Sequence, residues 1–249
     1  MNENNTLYIV VPCYKEQEVL PETARRLKEK MNCLMAAGKI SPESRVLFVN
    51  DGSTDHTAQI CRDNGINFVD LIYNMGIGGA VQTGHIYAQQ HGYDVDIQFD
   101  GDGQHDISYV PALLERIEQG DDLVIGSRFV ADTGGFKSTG LRRSGIRWLS
   151  ARIKGASKIT VTDPTSGFRA SGRRAIALFA KDYPSDYPEP ESIVAAHNRG
   201  LTVSEVPVVM HERQGGTSSI NIWKGAYYMV KVTLAIWIEA SRAKRMASR

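Results

Sequence analysis

The stretch IQFDGDGQHD, residues 97–106, runs from an apolar lead (Ile97, Phe99) into three carboxylates, Asp100, Asp102 and Asp106, spaced by glycines and interrupted by His105. Acids this close repel one another unless something positive sits among them. A divalent cation answers the pattern, because Mg²⁺ and Mn²⁺ prefer oxygen donors and take one or two carboxylates together with substrate phosphates. Asp100 and Asp102 would be the donors, and Gln104 could add an amide oxygen. An EF-hand is disfavoured, since its later glutamate is absent. A solvated Asp/Gly turn is the alternative reading.

Other segments carry polar groups of matching use. In VNDGSTDHT (49–57), Ser53 or Asp55 can cap a following helix. That leaves Asp51 at a strand end, able to accept hydrogen bonds from a nucleobase imide or a ribose hydroxyl. NMGIGGA (74–80) is like a phosphate-cradling loop before a helix, yet matches neither GxGxxG nor a P-loop ending in GK[ST]; close helix-to-sheet packing is an equal reading. Arg128, Arg169 and Arg213 offer guanidinium forks suited to phosphate oxygens, and Gly215 and Gly216 beside Arg213 suggest a loop that closes over something. Glu189 and Glu191, around Pro190, stand at an expected helix start. There they either favour the helix dipole or supply a general base facing the cation site.

The elements that must position these groups are legible from pattern. LYIVV (7–11), RVLFVN (45–50), a weaker run at 68–72, VDIQFD (95–100), DLVIGS (122–127) and LTVSEVPVVM (201–210) read as strands. Helical patterns lie between them at about 18–37, after 53–55, through Gln90, and at 109–118. The second half adds a helix through Lys154, one from about Gly172, one at DYPEPES and a final one. Strands alternating with helices imply a mostly parallel, three-layer α/β sheet. Such sheets bind ligands at the carboxyl ends of their strands, so the polar segments should gather along one rim.

Bulk properties narrow the partners. Lys+Arg 29 against Asp+Glu 28 gives a formal charge of +1 over 249 residues, and no global field points to nucleic acid. Three cysteines, Cys13, Cys33 and Cys61, without CxxC spacing fit free packing thiols in a reducing compartment. The N-terminus lacks a secretory pattern. The apolar run from Ala226 to Ile238 contains Lys231 and is shorter than the ~20 residues that span a bilayer. The tail, with Trp223, Tyr227, Tyr228, Val230, Leu234, Trp237 and Ile238 followed by basic residues, reads as a helix lying in a membrane interface or packed on protein. No linker or internal repeat divides the chain.

Taken together, IVVPCYKE, VNDGSTD, NMGIGGA, IQFDGDGQHD, LVIGSRF, DPTSGFRA and EVPVVMHERQGGTSS resemble, in order and spacing over residues 7–220, the family 2 glycosyltransferases of GT-A fold. The nearest branch is that of dolichol-phosphate mannose synthases and bacterial polyprenyl-phosphate glycosyltransferases. The resemblance implies a catalytic domain over 1–220 and an amphipathic, basic helix over 221–249. It implies a UDP-, GDP- or dTDP-sugar donor, with Pro12, Tyr14, Glu16 and Asp51 around base and ribose and Gly79 lining the same pocket. Asp100 and Asp102 become the DxD acids on Mg²⁺ or Mn²⁺, with Gln104 as a third ligand. Arg128 and Arg213 would face phosphate, and Ser166 and Gly167 would lie near the transferred sugar or acceptor. The implied reaction is inverting transfer to a polyprenyl phosphate or polyprenyl-linked acceptor, at the cytoplasmic face of the membrane, with a homo-oligomer or small membrane protein as further partner. A saccharide hydroxyl is the alternative acceptor and would call on Glu189 or Glu191 as base. Sugar nucleotidyl transfer and non-catalytic nucleotide-sugar sensing are the rival classes. Ile77 stands where this family often has a basic residue.

Overall fold

A computed structural model describes residues 6–101, 104–131, 140–211 and 222–247. Seven strands form one sheet in the order β3-β2-β1-β4-β6-β5-β7. They are β1 (Leu7–Cys13), β2 (Arg45–Asn50), β3 (Phe68–Asp70), β4 (Val95–Gln98), β5 (Leu123–Ser127), β6 (Arg169–Gly172) and β7 (Val203–Pro207). All neighbours are parallel except β6, which runs antiparallel to both β4 and β5. The mixed α/β architecture agrees with the expected mostly parallel sheet flanked by helices.

Strand β1 explains the layering. All seven of its residues are buried, so the hydrophobic run is continuous rather than alternating, as expected for a strand covered on both faces. Leu7, Ile9 and Val11 pack with Leu20, Leu27 and Met31 of α1 (Leu20–Ala36) and with Val110, Leu113 and Leu114 of α4 (Val110–Glu118). Tyr8 and Val10 point the other way, onto Ala80 and Ala88 of α3 (Gly76–Gln90). Besides these lie α2 (Thr57–Asp63), α5 (Gly140–Ser157), α6 (Arg173–Phe179), α7 (Pro188–Asn198) and α8 (Ile222–Ala247). Leu149, Ile153, Ile193, Val194, Val232 and Ile236 share a third cluster that fastens α5, α7 and α8 to the sheet.

Three local expectations change. Strand β6 was not legible, because its first residue is a buried arginine and its last a glycine. Asp55 rather than Ser53 serves α2, accepting the Thr57 amide at 3.0 Å, while the Ser53 hydroxyl accepts the Lys15 amide at 2.9 Å. Cys13 and Cys61 are packing residues, but Cys33 is exposed on α1.

The glycines of NMGIGGA serve close packing within this arrangement. Gly78 donates its amide to the Ser185 carbonyl at 3.2 Å, and a Cβ there would run into the Pro184 and Ser185 carbonyl oxygens. The start of α3 is thereby pressed against the loop that leads into α7. Gly78→Ala should destabilise the protein by about 1–3 kcal/mol, seen as a lower urea midpoint at unchanged m-value.

Candidate active site

Parallel pairing brings the carboxyl ends of β1, β2 and β4 to one rim, and the loops there are tied to each other. The Asp51 amide donates to the Cys13 carbonyl at 2.9 Å, and the Glu16 amide to the Thr57 hydroxyl at 3.1 Å. The buried Asp51 carboxylate accepts the Met75 amide at 2.7 Å, and Asn74 donates to the Asp51 carbonyl at 3.1 Å. The Thr23 hydroxyl reaches the Gly101 carbonyl at 3.1 Å. Segments PCYKE, NDGSTD, NMGIGGA and the start of DGDGQHD therefore share one edge. Pro12 is buried as the next-to-last residue of β1, Tyr14 stands 43% exposed on the rim, and Lys15 turns the chain with a φ of 55°. Gly79 lies in the first turn of α3 against the Met75 side chain.

Strand β4 directs Asp96, Gln98 and then Asp100 to one face, by the two-residue period of a strand. Asp96 pairs with His85 of α3 at 2.5 Å, wholly inside the core. Asp100, past the strand end, keeps its side chain 36% exposed. Its carboxylate lies over Gly167, where a Cβ would fall 2.5 Å from one oxygen and 3.0 Å from the other. His105 steadies this acid from the far side. Its Nδ1 accepts the Asp100 amide at 3.1 Å, its ring stacks on Phe168 at 5.2 Å, and its Nε2 lies 3.8 Å from the carboxylate. The Glu16 carboxylate is close as well, 3.1 Å from the place of a Cβ on Gly101. Glu16, Asp100, Ser166 and Gly167 thus converge.

The buried Arg169 organises the opposite wall. Its guanidinium donates to the carbonyls of Ser166 (2.7 Å), Glu189 (2.8 Å) and Pro164 (3.0 Å) and to the Ser192 hydroxyl (3.0 Å). A buried cation requires this saturation, so the 164–167 loop and the start of α7 are held to one point. Phosphate binding, one of the roles open to Arg169, is not what its fork does. Arg128, expected to face phosphate, grips the fully buried Asp163 through two oxygens at 2.6 and 2.7 Å and reaches Thr165 at 3.1 Å. The bidentate fit of guanidinium to carboxylate explains the preference.

The two glutamates of DYPEPES part company. Glu189 is half-buried beside Gln98 and Asp100; burial pushes its carboxyl above the ordinary glutamate range, the nearby Asp100 charge adds to this, and Arg169 opposes it. Glu191 faces α8 instead, where burial and the Glu239 charge raise it. It lines a pocket with Pro184, Asp186 and Lys231 at the α7–α8 seam. Of the two glutamates expected as base, Glu189 stands beside Asp100 and Glu191 beside α8. Gln98 and His105 were missed as site residues. Gln98 was hidden because it reads as part of a strand, whereas the histidine within the acidic motif was a visible signal.

Gln104 leads from the acids to the last strand end. Its carbonyl accepts the His211 amide at 2.9 Å, which sets the segment preceding Arg213 beside the acidic loop. Asp102 and Arg213 themselves lie outside the described residues.

The profile of glycosyl transferase family 2 matches residues 8–179. The chain belongs to this family. As a family 2 glycosyltransferase it is 31% identical to an undecaprenyl-phosphate mannosyltransferase of Micrococcus luteus, over 96% of this chain and 97% of that one. It is 28% identical to a polyprenol monophosphomannose synthase of Mycolicibacterium smegmatis, over 86% and 80%. In fold it is similar to glucosyl-3-phosphoglycerate synthase of Mycobacterium tuberculosis crystallised with Mn²⁺, UDP-glucose and phosphoglyceric acid, with a TM-score of 0.68 at 17% identity over 96% of this chain and 80% of that one. The fold is GT-A, and membership of the family makes the chain a glycosyltransferase.

Gly167→Ala in this glycosyltransferase would push the Asp100 carboxylate aside. Turnover should fall about 100-fold, the scale of a 1 Å misplacement, while circular dichroism and the thermal midpoint stay near wild type.

Proposed function

We propose that the enzyme transfers a sugar, with inversion at the anomeric carbon, from a nucleoside diphosphate sugar to a polyprenyl phosphate or polyprenyl-linked acceptor of cell-surface glycan synthesis, working at the cytoplasmic face of the membrane. Similarity over nearly the whole length to relatives named for undecaprenyl phosphate and polyprenol carries the acceptor class. The rim supports the donor class. Pro12, Tyr14, Glu16, Asp51 and Gly79 would bind base and ribose, with the Tyr14 ring available for stacking and Asp51 buried and already oriented by the Met75 amide.

The donor set at Asp100 fits a hard cation, since it offers carboxylate oxygens at a strand end with only His105 within ion-pair distance among the described residues. Asp100 and Asp102, with Gln104, would hold Mg²⁺ or Mn²⁺, which when bound neutralises the departing diphosphate. Ser166 and Gly167, locked by Arg169, would position the sugar beside Asp100, and Arg213 would meet the diphosphate. The acceptor oxygen attacks the anomeric carbon from the face opposite the leaving group. A lipid phosphate arrives anionic and needs no base.

A second reading, transfer to a saccharide hydroxyl, is favoured by one observation: Glu189 lies beside Asp100 with its carboxyl raised by burial. A base of that kind accepts protons at a higher pH than an ordinary glutamate, so activity would fall, as pH drops, through a limb lying above the usual glutamate value.

Incubation with a panel of nucleotide sugars and Mn²⁺ should release nucleoside diphosphate from one of them. Asp102→Asn should abolish that release without unfolding the chain; unchanged turnover would remove the metal assignment. Glu189→Gln separates the acceptors. Transfer to a polyprenyl phosphate should change only a few-fold, whereas transfer to a hydroxyl should lose about 10²–10⁴-fold and its acidic limb.

A further inference from the structure

Between α7 and α8 lies a pocket of about 210 Å³, bounded by the 184–187 strap, by Glu191 of α7 and by Lys231 and Ala235 of α8. None of the residues placed around the donor or the metal lines it. Its charges are unevenly matched. Asp186 and Lys231 pair with each other at 2.6 Å. The other acids whose charge reaches Glu191 are paired as well: Glu239 with Arg199 at 2.6 Å and Arg242 at 3.5 Å, and Asp182 with Arg199 at 2.7 Å. Glu191 has neither an ion pair nor a hydrogen bond among the described residues. Burial first, then the Glu239 charge, hold its carboxyl above the ordinary glutamate range. A half-buried carboxylate without a partner costs stability, and one perturbed in this way inside a cleft is a candidate for ligand contact.

The strap adds an aromatic group to the same lining. Tyr187 precedes α7 with φ 52° and ψ 57°, a left-handed conformation uncommon for a bulky residue. Its ring stands edge-on to Tyr228 of α8, with centroids 4.6 Å apart. Strain of this kind persists where the surrounding structure over-determines it, and it clusters at ligand clamps. A carboxylate and an aromatic residue in one pocket suit an organic ammonium, which pairs with the first and lies against the second. An anion would meet Glu191 and Asp186, with Lys231 already engaged by Asp186.

The strap also touches the donor side. Its Ser185 carbonyl accepts the Gly78 amide of α3 at 3.2 Å, and a Cβ on Gly76 would fall 3.6 Å from the same oxygen. Met75, next in the chain, gives its amide to the Asp51 carboxylate. In the other direction Glu189 follows Tyr187 by two residues. We propose that the α7–α8 pocket is an effector site for a small primary amine, held by Glu191 and Tyr187, and that the 184–187 strap transmits its occupancy to the donor-binding rim. The site goes beyond the transfer reaction and does not rest on the choice of acceptor.

Calorimetric titration of the full chain with ethanolamine, glucosamine and 1,4-diaminobutane tests the site without any donor, using ethylene glycol and glucose as uncharged controls. At least one amine should bind with one-to-one saturation, and the controls should not bind. Glu191→Gln should weaken that binding about 10–100-fold, the scale of a hydrogen bond to a charged group. Ala235→Phe, which fills the pocket and leaves the carboxylate in place, should abolish it while donor hydrolysis and the thermal midpoint stay near wild type. Because the amine needs an ionised partner, its affinity should fall as pH drops, beginning above the usual glutamate range. Coupling is read by repeating the titration with the hydrolysed nucleotide sugar and Mn²⁺ present: donor and amine should change each other's dissociation constant by one shared factor of about five or more. No saturable binding, equal binding of the controls, or undiminished binding to Glu191→Gln and Ala235→Phe would overturn the site. A shared factor of one would overturn its effector role.

Discussion

A single buried guanidinium determines how the site is assembled. Arg169 occupies a central strand at 3% exposure, without a carboxylate in salt-bridge contact among the described residues, and satisfies its charge with three carbonyls and a hydroxyl. Because an unsatisfied cation in that position would cost several kcal/mol, the segments that supply those oxygens are held in fixed relation. They are the 164–166 loop and the first turn of α7. Everything close to Asp100 on that side follows from them, including the glycine beneath its carboxylate and the glutamate beside it.

The same β4 face grades from core to solvent. Asp96 is enclosed with His85, and one of its oxygens is buried without a hydrogen-bond partner among the described residues. Asp100, one step further, is open to solvent. Polar groups at this density in a central strand reduce stability on their own. Their presence beneath a ligand-binding rim is the usual compromise between a good core and a working site. The carboxylates of Asp100 and Glu189 lie close to one another on that rim.

Helix α7 joins the rim to α8. Its first turn reaches the site through Glu189 and Arg169, and its body packs against α8. Glu191 shows how finely the two are divided, since a shift of two residues along one helix carries a carboxylate from the Asp100 side to the α8 seam.

By itself the sequence determined what depends on local periodicity and local chemistry. The continuous apolar run of β1, the alternation of strands and helices, the Asp/Gly turn after β4 and the proline-marked start of α7 were all legible, and from them the rim and the family resemblance. Tertiary structure alone decided what depends on pairing between distant segments. Strand β6 was invisible because a buried arginine breaks the hydrophobic pattern, and only its place between β4 and β5 makes it a strand. The Asp163 partner of Arg128 could not be read from the chain, nor could Glu189 be told from Glu191 until α8 covered one and β4 stood by the other. A guanidinium or a carboxylate has the same chemistry wherever it falls in a chain; its partner, supplied by the fold, determines what it does.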